Sequence, residues 1–164
     1  MTAKVLAAGY GVKPEDVFLN ESNSQGHVSF RPAYPTSLLS PFRHYTVSLS
    51  VSYPSRAILQ SLIVENTGSV RAQLTNLTAS GSYIVSGANG KVEVALPSTA
   101  QFRLTARSAD NVVGIEDFTQ CGLQFTRTGP PNVLTATCGN GSADVELSSQ
   151  TGQVIVDNDF LSPP

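Results

Sequence analysis

Carboxylates are the residues of this chain best suited to chemistry, and Asp110, Glu116 and Asp117 lie close together in the sequence. On a β-scaffold such a group could act on carbohydrate, with paired carboxylates about 5–9.5 Å apart serving as acid, base or nucleophile. Neighbouring residues on a strand point to opposite faces, so Glu116 and Asp117 share a site only within a loop. Solvated loop charge is the alternative reading of this acidic patch. Asp157-Asn158-Asp159 offers hard oxygen ligands to Ca²⁺. It lacks the Gly and distal Glu of an EF-hand loop, so Asx turns after a last strand account for it. His27 and His44 have no ligand spacing for zinc. Gly-x-Ser-x-Gly is absent, and no Lys-Ser/Thr pair follows Gly87-Ala88-Asn89-Gly90 as a phosphate loop requires. These motifs therefore imply no catalytic residue, metal or cofactor.

The two cysteines carry a more definite expectation. The strand-like segments from Cys121 to Arg127 and from Asn132 to Cys138 flank Thr128-Gly129-Pro130-Pro131, a strong turn signal. A hairpin centred between Gly129 and Pro130 sets Cys121 opposite Cys138, Leu123 opposite Ala136 and Phe125 opposite Leu134, all on one face. Opposed Cβ atoms lie about 4.5–5.5 Å apart, near disulfide reach. A bridge would favour an oxidising compartment. Two reduced, buried thiols are the alternative.

Positioning these residues falls to short strands. Thr67-Gly68-Ser69-Val70, Ser80-Gly81-Ser82-Tyr83, Asn89-Gly90-Lys91-Val92 and Thr151-Gly152-Gln153-Val154 each read as a tight turn that restarts an alternating strand. Tyr45, Val47, Leu49, Val51 and Tyr53 alternate with Thr and Ser, which makes 45–53 the clearest strand. The apolar run Ala57 to Val64 suits a strand buried on both sides, or one beside the turn into the first repeat. Val92, Val94 and Leu96, then Phe102, Leu104 and Ala106, then Ala143, Val145 and Leu147, repeat the alternating pattern. Residues 1–41 are broken by Gly and Pro and read as an irregular segment docked on or capping a β-domain at 42–160, with a possible helical turn at 13–19. The cysteine hairpin 121–138 lies inside that domain, and 161–164 form a Pro-rich tail.

Charged residues make up only 13% of the 164-residue chain, and the net charge is -2. About 25% is usual, so Ser, Thr, Asn and Gln dominate the surface. No basic cluster exists to attract nucleic acid or anionic lipid. No apolar run reaches the roughly 20 residues of a membrane span, and the apolar patch near Met1 is too short for a signal-peptide core. Either a cytoplasmic protein or a mature piece of an exported one fits that start. Asn20, Asn76 and Asn140 lie in Asn-x-Ser/Thr sites, which are compatible with export. Trp is absent, which weakens a sugar-stacking platform.

The stretch from Gly90 to Asp110, with Leu96-Pro97 between two strands, and the stretch from Cys138-Gly139-Asn140-Gly141 to Val156 resemble the putative-adhesin β-solenoid domains of unknown function found in bacterial surface proteins. The likeness spans about residues 60–157. The Asp of the family's turn is replaced here by Ser69, Ser82, Lys91 and Gln153. The resemblance implies an all-β stack, a surface role and no catalytic residues. Taken together, the sequence leads us to expect a short single-stranded β-solenoid, or alternatively a β-sandwich. The expected function is that of a non-enzymatic extracellular or cell-surface module binding a protein or surface glycan, with end-to-end self-association through open strand edges. A carbohydrate-binding or carbohydrate-active protein using Asp110, Glu116 and Asp117 is the competing reading.

Overall fold

Val and Leu alternating with polar residues build strands throughout, and every regular element among the described residues is a strand. The computed structural model describes residues 2–9, 18–24, 27–33, 45–52, 58–66, 68–109, 113–115, 118, 121–129 and 132–158. The chain divides into Met1–Pro54 and Ser55–Pro164.

In the first unit, β1 (Thr2–Gly9) pairs antiparallel with β4 (Tyr45–Ser52), and β2 (Phe18–Ser24) with β3 (His27–Ala33). The clear strand expected at 45–53 is present over its described residues as β4. The segment expected to be irregular contains strands, and the division falls after Pro54 instead of Pro41 because β4 takes β1 as its partner. Phe18 and Leu19 begin β2 and not a helical turn. Residues 13–17 lie outside the described residues, as does the tail 161–164.

The second unit is a pair of sheets. The six-stranded sheet has the order β11 (Gln124–Thr128), β12 (Asn132–Cys138), β9 (Phe102–Ser108), β13 (Ala143–Ser149), β7 (Ser82–Gly87) and β5 (Ser61–Asn66). The four-stranded sheet has the order β10 (Val113–Ile115), β14 (Val154–Asp157), β8 (Val92–Ala95) and β6 (Val70–Gln73), all parallel. Four strands of the first sheet are each followed in the chain by a strand of the second, giving the rows β5–β6, β7–β8, β13–β14 and β9–β10. The row latest in the chain, β13–β14, sits between two earlier ones. It pairs in parallel with β7 and β9 on one sheet and with β8 and β10 on the other.

Inward residues of both sheets form the core. Tyr83, Val85, Leu104, Ala106, Leu134, Leu147, Val92, Val94, Val154 and Val156 are buried. Phe118 packs edge-on against Phe102 with centroids 5.4 Å apart. Of the two readings of the apolar run, burial on both sides fails for residues 58–64, since β5 is an edge strand and Ile63 is 61% exposed, and the other holds, since β5 ends just before the turn at Gly68.

The repeated Gly turns explain how the rows stack. Gly68, Gly90 and Gly152 occupy one corner, each two residues before the first strand residue of the second sheet, and Val70, Val92 and Val154 stand in register. Val70 N–H donates to Lys91 O at 2.9 Å, and Val92 N–H to Gln153 O at 2.8 Å. A Cβ on Gly152 would overlap the Gly90 carbonyl, so this position requires glycine for close approach. The fourth turn, Ser80-Gly81, lies at the start of β7, at the opposite end of the strand from this corner.

Cys121 and Cys138 form a disulfide with Cα atoms 5.2 Å apart. The hairpin register differs from that expected: Phe125 pairs with Ala136 and Arg127 with Leu134, a shift of two residues. A turn at Cys121-Gly122, with Gly122 at φ 63°, returns the sulfur to Cys138. All of β11 is exposed, Phe125 included, because it is the sheet edge. Arg127 spans from this edge to the Val113 carbonyl on β10 and lies over the Phe125 ring, 5.6 Å from its centroid.

Gly152→Ala should lower stability by about 1–3 kcal/mol or more by forcing the row corners apart, measured by urea unfolding. Reducing the disulfide should cost about 3 kcal/mol on a chain-entropy estimate for a loop of this size, with the midpoint shift in the same assay as the check.

Candidate functional surface

The outer face of the six-stranded sheet follows from strand alternation: residues flanking the buried ones must point outward. Register then aligns them across strands. One line runs Ser82, Asp144, Arg103 and Thr137, and the next Ile63, Ile84, Glu146, Thr105, Thr135 and Thr126. The result is a broad face of hydroxyls and a few charges. A shallow depression of about 330 Å³ lies at its centre, bordered by Arg103 and Arg107 of β9, Asp144 and Glu146 of β13, and Ile84 of β7.

Arg103 grips Asp144 through two bonds, Nε to Oδ1 at 2.8 Å and Nη2 to Oδ2 at 3.2 Å. The hydrogen bonds from Arg103 hold the Asp144 carboxyl below its ordinary value. Both side chains are more than half exposed, at 63% and 60%, so the pair orders the face without anchoring the fold. On the other sheet, Lys91 pairs with Glu93 along β8.

The acidic patch expected from sequence, Asp110, Glu116 and Asp117, lies outside the described residues. Among the described residues, no three His, Cys, Asp or Glu side chains converge as metal ligands. Asp157 Oδ1 accepts from Asn158 N–H at 2.6 Å, the local Asx bond that turn chemistry predicts. Tyr83 is fully buried. Its hydroxyl donates to Leu59 O at 2.6 Å and accepts from Thr78 N–H at 2.8 Å, so it anchors a loop and is closed to sugar stacking. The side chains of Asn20, Asn76 and Asn140 are all exposed.

Sequence reasoning missed the Arg103–Asp144 pair, since it depends on β13 lying beside β9. It also missed two buried hydroxyls. Ser149 Oγ donates to Gly90 O at 2.8 Å and accepts from Gly152 N–H at 2.8 Å, while Ser108 Oγ donates to Gly152 O at 2.8 Å. Serine as the last residue of both β9 and β13 was the available signal.

No protein-family model matches the chain, and no curated protein matches it. The fold is similar to that in a 1.95 Å crystal structure described as a putative cell adhesion protein from Clostridium sporogenes. The TM-score is 0.51 at 12% identity, and the match covers 93% of this chain and 82% of the other. No helix among the described residues is long and apolar enough to cross a membrane.

The Asp144 carboxyl should titrate below its ordinary value in NMR, and Arg103→Gln should return it toward that value. Because the folded pKa is the lower one, the pair's contribution is present above the ordinary carboxylate range and lost as pH falls through the lowered value.

Proposed function

We propose that the chain is a non-enzymatic extracellular or cell-surface module that binds a protein or a surface glycan through the outer face of its six-stranded sheet. The observation that carries this reading is the face itself. It is broad, hydroxyl-rich and shallow, with outward Thr105, Thr135 and Thr126 in register on three adjacent strands. A surface of that shape suits contact with another extended surface, whereas small-molecule sites are concave and mostly apolar. Two further facts support the setting: the Cys121–Cys138 bridge, a feature of oxidising compartments, and the structural neighbour described as an adhesion protein. We read the stacked rows as a short β-solenoid in which one row is threaded out of chain order.

Thr105→Lys combined with Thr135→Lys should remove binding of the labelled protein to arrays of immobilised matrix proteins and glycans. Asp110→Ala, Glu116→Ala and Asp117→Ala together should leave binding intact. Loss of glycan binding only in the acidic triple variant would replace this reading with the carbohydrate-site one.

A further inference from the structure

The two ends of the six-stranded sheet are finished differently. At one end the antiparallel hairpin β12–β11 stops the parallel stacking, secured by the disulfide and by Arg127 reaching across to Val113. At the other end, β5 has a single ladder partner among the described residues, β7. Ile63 on its outer face is 61% exposed, and Leu62 and Val64 on its inner face are only partly buried. A parallel edge carrying two aliphatic faces can accept another strand.

Backbone direction identifies which residues would pair. The Gln60 and Asn66 carbonyls accept from Ser82 and Ala88 N–H on the β7 side. Alternation therefore turns the N–H and C=O groups of Ser61, Ile63 and Glu65 toward the free edge. We propose that β5 pairs antiparallel with β5 of a second copy about a two-fold axis through Ile63.

This register matches each edge-directed residue with another. Ile63 faces its own counterpart, Ser61 faces Glu65, and Leu62 lies beside Val64 on the core side. The contact is isologous, as a two-fold interface must be. It opposes no like charges, covers both exposed Ile63 side chains and extends each core across the junction. Glu65 finds a hydroxyl opposite it instead of a second carboxylate.

The test uses the full chain, so that Met1–Pro54 stay in place. Light scattering should show the mass doubling as concentration rises. Hydrogen-bonded antiparallel partners have Cα atoms about 5.5 Å apart, within disulfide range. Ile63→Cys should therefore give a covalent dimer on non-reducing gels, with the circular dichroism of the parent protein. Ser61→Cys mixed with Glu65→Cys should cross-link far more than either alone. A chain that stays monomeric, with Ile63→Cys remaining uncrosslinked, overturns the proposal. So does a dimer in which Ser61→Cys alone cross-links as well as Ile63→Cys, since that is a different register.

Discussion

The stack depends on how closely its rows meet at one corner. At that corner the chain leaves one sheet for the other, and each turn exposes carbonyls that have no partner within their own row. Serine and glycine resolve this jointly. The buried Ser149 and Ser108 hydroxyls satisfy the Gly90 and Gly152 carbonyls, while the missing Cβ at Gly152 lets the turns approach. An unsatisfied buried carbonyl costs about 1–3 kcal/mol. The corner bonds are thus what permits Val92, Val154 and their neighbours to pack as a continuous core between the sheets.

From that corner follows the threading. A row with a free edge on each side accepts neighbours on both, and β13–β14 fills a gap that β7–β8 and β9–β10 leave between them. The hydrophobic column Tyr83, Val145, Leu104 and the parallel column Val85, Leu147, Ala106 are complete only once the last row is in place. Long-range parallel pairing of this sort is slow to form but cooperative once formed. The polar face opposite these columns is a by-product of the same alternation: Asp144 meets Arg103 because Val145 meets Leu104.

Local signals were legible in the sequence, and neighbour relations were not. The alternation at 45–52, 92–95 and 102–106 became strands, and three of the four Gly turns became one corner. The pairing of Cys121 with Cys138 could be read from the Gly-Pro-Pro turn. Its register could not: the ladder is offset by two residues from Thr128 onward, and Cys121 reaches Cys138 only through the turn at Cys121-Gly122. The apolar run 57–64 fitted either two-sided burial or a place beside the first turn, and the choice could not be made because whether a strand is central or at an edge depends on threading alone. Residues 2–9 lack strict alternation, which hid a strand whose partner lies far away at 45–52. The outer face was foreseeable as Ser/Thr-rich, but the Arg103–Asp144 contact required knowing that the last row is inserted.

Amide hydrogen exchange followed residue by residue tests the central claim most directly. With β13–β14 held between β7–β8 and β9–β10, the amides of Val145, Leu147 and Val156 should exchange among the slowest in the chain, and those of β11 at the sheet edge much faster. If β13 and β14 exchange early, as a fraying chain end would, the inserted row and the corner that holds it are wrong.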